Sequence, residues 1–327
     1  VKNWFLVIIF LLSGSALADM VANQSNPLQS LVSPSRAVAD GCGTVLTQEM
    51  AGCLGGFNVP RFEDLDRNYA IHPPRNVPAC ARDWQRIERM HIHPQTPAVS
   101  MSELEKSANQ YGVSLEALHH AVAVFLQNQN RIPEQRYISI VDFDKSGHVP
   151  RWFFFDLQTG AVTKFKVSAG RSSDPDHDGI ADRFSNQHRS NASSLGCAVS
   201  GETYDGRHAH SIRLHGLENT NYNICDRSVV VHQTGSYEAG EGRSNGCLAV
   251  DSTKNIYQIV NGKRVATAGI AAMLGQGGLV CNWKTPGKYK QVDKASDYHQ
   301  ASHKYRSHRR HYKRRRRHVQ YSYNYYY

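Results

Sequence analysis

Tyr137-Ile138-Ser139-Ile140-Val141-Asp142-Phe143 is the stretch from which the architecture is read. Before it, apolar residues recur at helical spacing; from Tyr137 onward they come in short strand-like runs. Arg151–Leu157 and Ala161–Val167 repeat the pattern, with turn sequences between the runs at Asp144-Lys145-Ser146-Gly147 and Gln158-Thr159-Gly160. Two such hairpins in succession predict a β-meander. Working outward, Ser211–Leu217 and Ser228–Gln233 add two strands, and Asp251 or Ser252 is placed to cap a short helix carrying Ile256, Ile259 and Val260 and stopped by Gly262. On the other side, Ser100 and Glu103 form a capping-box pattern for a helix interrupted at Gly112. A second helix starts at Ser114, with Leu115, Leu118, Val122 and Phe125 on one face, and Pro133 ends that region. Helices first and strands afterwards predict a mainly β domain with helical decoration (α+β) over residues 100–283. That length is ample for a core.

The two ends have other compositions. Residues 1–18, with Lys2, the apolar run Trp4–Leu12 and the small-x-small site Ala16-Leu17-Ala18, read as a secretory signal peptide. Residues 19–99 read as a loop-rich, cysteine-containing segment. Ser, Asn, Pro and Ala dominate 19–40, and Cys42, Cys53 and Cys80 lie among Gly and Pro in 41–99, where no period persists and disulfide-held loops are expected. Seven cysteines suit an oxidising destination, and none shows the C-x-x-C spacing of structural zinc. If Cys247 is kept as a free thiol, six remain for up to three disulfides whose pairing stays open. The net charge of +10 is concentrated at one end: from Lys284 onward there are six Lys and seven Arg against two Asp. Residues 284–327, with nine of the sixteen tyrosines, read as a disordered basic Tyr/His-rich tail. It is suited to an anionic polymer or membrane surface, and export argues against nucleic acid.

The chemistry centres on His232, at the end of the run Val229–Val231, and on Cys247, behind the turn Arg243-Ser244-Asn245-Gly246. A thiol attacks as thiolate, and a neighbouring imidazole is the usual means of generating one. Gly246 permits a tight approach, and the amides of Asn245, Gly246 and Cys247 are placed to face a developing oxyanion. Ser244 is positioned to bond within the turn, while Arg243 suits either a substrate carboxylate or a surface ion pair. A buried core pair is the plain alternative for the histidine and cysteine.

His232 with Ser244-x-Gly246-Cys247 resembles the signature of murein L,D-transpeptidases of the YkuD type. Tyr137–Phe143, Trp152–Gly160, Phe184-Ser185-Asn186, Ser193-Ser194-Leu195-Gly196, Gly201-Glu202-Thr203-Tyr204 and Arg213–Glu218 resemble the murein L,D-transpeptidase catalytic domain family, across roughly residues 113–280. The resemblance implies a YkuD-like β-sandwich and a cysteine acyltransferase in the periplasm or cell envelope of a bacterium. Its substrate would be a peptidoglycan stem peptide, with Cys247 forming a thioester with a tetrapeptide stem and His232 moving the proton. It also implies transfer to an amine acceptor. A carboxypeptidase using water at the same site, or a catalytically weak wall-binding protein, is the alternative. Tyr204 and His215 fall in the matching flanks as donor-groove residues or as packing. Gln233 departs from the Gly usual after the histidine.

No cofactor and no metal is assigned. Arg207-His208-Ala209-His210 offers an H-x-H pair without a carboxylate-histidine partner and reads as solvated chain. Asp174-Pro175-Asp176-His177-Asp178-Gly179, followed by Asp182, resembles the first half of a calcium loop, but Ser185 stands where such a loop carries its last glutamate. An acidic turn is the other reading.

Overall fold

The computed structural model describes residues 46, 54, 77–92, 95–206, 209–234, 244–251, 255–260 and 263–292. The readings for residues 1–18, Cys42, Cys53, Arg207, His208, Arg243 and the chain beyond Val292 lie outside them.

Three helices come first: α1 (Val77–Glu88), α2 (Met101–Tyr111) and α3 (Leu115–Asn128). Ser100 caps α2 as expected, its Oγ accepting from the Glu103 amide while the Glu103 carboxylate accepts from the Ser100 amide at 2.7 Å. Gly112 closes the helix at φ 63°, a left-handed conformation that costs glycine little. Ser114 caps α3, which is apolar nearly all round and buried between α2 and the sheet. Helix α1 corrects the expectation of loops throughout residues 41–99. Cys80, Trp84 and Ile87 form a buried stripe on it, and its docking depends on partners far along the chain.

The strands are β1 (Tyr137–Asp142), β2 (Trp152–Asp156), β3 (Val162–Phe165), β4 (Val167–Ser168), β5 (Arg183–Phe184), β6 (Gly196–Gly206) and β7 (Ala209–Gly216). They continue with β8 (Val230–Thr234), β9 (Leu248–Asp251), β10 (Asn255–Val260), β11 (Lys263–Gly269), β12 (Leu279–Trp283) and β13 (Lys290–Gln291), with the short helix α4 (Ile270–Leu274) after β11. Nine form one sheet in the order β3-β2-β1-β12-β6-β7-β8-β9-β4, which contains the expected meander. Strands β3 and β4 are its opposite edges, yet only Lys166 separates them in the chain. The sheet must therefore curl until its edges approach, which gives it an inner and an outer face. Trp152, Phe154, Val231, Leu248 and Val250 meet in the inner cluster. Phe153, Phe155 and Val199 point outward with the side chains of α2 and α3. The period-two alternation of a strand thus buries all of Trp152–Phe155.

Two further expectations are corrected. Residues 255–260 are not a helix but β10, paired antiparallel with β11 from Asn255↔Gly269 to Val260↔Lys263. The spacing of Ile256, Ile259 and Val260 fits one helical turn, but β-branched residues and the following Asn261-Gly262 are a hairpin signal. The second concerns the basic tail, expected from residue 284. The chain stays folded through Val292: Lys284 Nζ donates to the Phe143 carbonyl at 3.0 Å, Tyr289 packs edge-on against Phe184, and β13 runs parallel to β5.

Two disulfides are formed among the described residues. Cys80–Cys225 ties α1 to the segment before β8, and Cys197–Cys281 joins register partners on β6 and β12. Cys247 is free. No described helix is long and apolar enough to cross a membrane.

Candidate active site

Strands β8 and β9 are parallel neighbours in which Val231 pairs with Leu248 and His232 with Ala249. Val229, Val231, Leu248 and Val250 turn to the inner cluster, so the alternate positions Val230, His232, Cys247 and Ala249 project from the outer face. Cys247 immediately precedes β9, two residues back from the partner of His232. Strand spacing sets the two Cα atoms roughly 8 Å apart on one surface. The structure therefore brings the two predicted residues to one face of rigid sheet.

The imidazole of His232 is largely buried, and its Nδ1 lies 2.8 Å from the Gln233 carbonyl oxygen. A carbonyl only accepts, so Nδ1 carries the proton and Nε2 is the basic nitrogen. The orienting group is main chain, which any residue supplies, and Gln233 in place of Gly leaves this contact intact.

Cys247 is half-buried, and its thiol donates to the Ser228 carbonyl at 3.7 Å. Burial pushes the thiol above its ordinary range; the Val230 amide and the Arg227 charge pull the other way without cancelling it. The resting group is thus a neutral thiol. Gly246 has φ 113°, and a Cβ there would stand 2.6 Å from the Ala192 carbonyl oxygen, so the turn requires glycine. The Gly246 amide donates to Ser244 Oγ at 3.2 Å. Ser244 Oγ in turn lies 3.0 Å from the Ala169 carbonyl and 2.8 Å from that of Cys247.

Sequence reasoning missed Arg227. Its guanidinium binds the Ser185 and Ala192 carbonyls and the Ser190 and Ser194 hydroxyls, all at 2.5–2.8 Å. It clamps the serine-rich strap 185–194 against the cysteine turn, a long-range role for which its neighbours carry no local signal. Beside the thiol lies a cavity of about 570 Å3 lined by His188, Arg189, Asn191, Asp226 and Ser228, with Asn245 at the turn. Arg189, Asn191 and Ser228 have φ between 56° and 62°. Such conformations are costly outside glycine and cluster where a site imposes them. His188 pairs with Asp226 at 2.7 Å.

Tyr204 pairs with Ser211 and Ser211 with His232 across β6, β7 and β8, so Tyr204 shares the outer face with the site. The Arg213 guanidinium lies 4.3 Å over its ring. Burial, with a contribution from Cys247, raises its hydroxyl above the ordinary range. His215 is fully buried, with Nε2 2.9 Å from Asp83 Oδ2 and its ring against Trp84; it is a packing residue under α1. His210 pairs with Asp205 at 3.1 Å. The carboxylates of Asp174, Asp176 and Asp178 converge within 4.8 Å. A second cluster, His120, Cys197 and Glu218, has its sulfur in a disulfide.

Residues 109–267 match the family model of the L,D-transpeptidase catalytic domain. This is a family of cysteine L,D-transpeptidases acting on peptidoglycan. No curated protein and no solved structure matches the chain.

Proposed function

From that family match, we propose that this chain is an exported peptidoglycan L,D-transpeptidase with Cys247 as nucleophile and His232 as general base. The observation that carries the reading is the shared outer face of β8 and β9, on which the Gln233 carbonyl fixes the His232 tautomer with its proton on Nδ1. His232 takes the Cys247 proton, and the sulfur attacks the carbonyl preceding the terminal D-residue of a tetrapeptide stem. The tetrahedral oxyanion is met by the amides of Asn245 and Cys247. Collapse breaks the C–N bond, the imidazolium protonates the leaving amine, and a thioester remains. An acceptor amine then attacks the thioester, loses its proton to His232 and restores the thiol. The cavity beside the thiol is the donor subsite, with Arg189 and His188 facing stem carboxylates. Two disulfides support an oxidising compartment for this chemistry.

The test is mass spectrometry of products formed from purified disaccharide-tetrapeptide by the native chain, Cys247→Ala and His232→Ala. Dimers cross-linked between third residues are expected, absent in Cys247→Ala and reduced ~100-fold or more in His232→Ala. Tripeptide monomers alone would replace transfer by hydrolysis, and product persisting in Cys247→Ala would sink the nucleophile assignment.

A further inference from the structure

The acidic loop between β4 and β5 lies outside the catalytic chemistry. Asp174, Asp176 and Asp178 alternate, Gly179 follows at φ 91°, and Asp182 comes four residues after Asp178. These are the first, third, fifth, sixth and ninth places of a calcium loop, where oxygen ligands and the turning glycine stand. An acidic cluster alone would mean little, since exposed carboxylates gather on many surfaces. The distinguishing atom is Asp174 Oδ1. Asp174 is 3% exposed, and Oδ1 is a buried oxygen without a hydrogen-bond partner. Its sister Oδ2 accepts from the Gly179 amide at 3.1 Å, which fixes the carboxylate among Asp176 and Asp178. An orphaned buried carboxylate oxygen is costly unless something positive meets it. The nearby Arg151 does not meet it by hydrogen bonding: its guanidinium goes to the Val167, Lys145 and Gly179 carbonyls.

We propose that Asp174, Asp176, Asp178 and Asp182 hold one calcium ion. Hard oxygen donors without nitrogen or sulfur select a hard cation, and the open, partly solvated side of the loop leaves room for the waters that complete calcium's six to eight ligands. Without a bidentate glutamate at Ser185, affinity belongs to the weak range of ~10⁻⁴–10⁻³ M characteristic of extracellular modules. The site is braced to the catalytic turn. Ser173 Oγ accepts from the Ser193 amide, Ser193 Oγ donates to the Gly246 carbonyl, and Gly170 bridges to Ser244.

Isothermal titration of the chelator-treated full chain with calcium chloride tests this, alongside Asp176→Asn/Asp178→Asn. That double variant alters two exposed side chains and is expected to leave the fold intact, which circular dichroism checks. One calcium per chain, weakened at least ~10-fold in the variant, is the expected result. Absence of heat or of a melting-temperature rise up to ~10 mM calcium, or uptake equal in both proteins, would overturn the proposal. The experiment involves no stem peptide, so its outcome is independent of the transpeptidase reading.

Discussion

In the proposed reaction Cys247 and His232 divide one task, and their resting states differ. Burial holds the sulfur above the ordinary thiol range, so at neutral pH it keeps its proton and points it at the Ser228 carbonyl. Nε2 of His232 has the opposite disposition, because the Gln233 carbonyl fixes the proton on Nδ1. Under the proposed mechanism, activation belongs to the substrate complex, when an incoming carbonyl displaces the thiol from Ser228 toward the imidazole. The sign for the free protein follows: a raised pKa means less thiolate at pH 7 than in free cysteine. Alkylation of Cys247 by iodoacetamide should climb ~10-fold per pH unit from pH ~6 to beyond the ordinary thiol range. A rate already level below pH ~7 would show a preformed thiolate–imidazolium pair and contradict the neutral resting thiol.

At the scale of elements, α1 explains how a helix can be hidden in a sequence. Helices α2 and α3 were legible because Ser100, Glu103, Gly112 and Ser114 announce their ends locally. Helix α1 has a stripe of only three residues, and its reason to form lies over a hundred residues away. The β6–β7 register shifts between Ser200 and Thr203, and at this irregularity the Glu202 amide donates to both carboxylate oxygens of Asp83 at 3.0–3.1 Å. Gly201 allows the approach, since a Cβ there would stand within bonding distance of Asp83 Oδ2. No pattern in residues 41–99 could announce that contact. The same non-locality hides Arg227, whereas in β10 three apolar residues also satisfy a helical period. Burial by itself would raise the Asp83 carboxyl, but His215, the Glu202 amide and Arg86 outweigh it and hold it down to about 2. A depressed carboxyl stabilises the fold above its unfolded value near 4 and loses that contribution as pH falls toward 2. The worth is about 2 kcal/mol. Urea midpoints of the native chain and Asp83→Asn should therefore differ at pH ~6 and converge by pH ~2. A constant difference across that range would refute the linkage.

At the scale of the whole molecule, the near-closure of the nine-stranded sheet sets which parts of the chain are indispensable. The curl brings the two edges to one chain segment and gives the sheet two working faces: the inner face packs on itself, and the outer face packs under the helices on one side and carries Cys247 and His232 on the other. Composition drew the end of this body at residue 283, because basic residues dominate from there on. Packing carries it at least to Val292. Lys284 is buried against the Phe143 carbonyl and Asp144, Thr285 bonds the Asp144 carboxylate, and the Lys290 and Val292 amides donate to the Asp182 and Phe184 carbonyls. A lysine with a buried stem and satisfied ammonium is compatible with a core margin, which a charge count does not register. Residues 293–327 carry three Lys and seven Arg against two Asp, and the proposed role for them is electrostatic attachment to an anionic polymer. A pair of truncations separates the two contributions. Ending the chain after Val292 should preserve the melting temperature and turnover of soluble stem peptide, while abolishing the salt-sensitive retention of the full chain on anionic vesicles. Ending it after Trp283 should cost about 2–4 kcal/mol from lost burial and hydrogen bonds. Equal melting temperatures for the two would return the boundary to residue 283. Retention undiminished in the chain ending at Val292 would assign attachment to the folded domain.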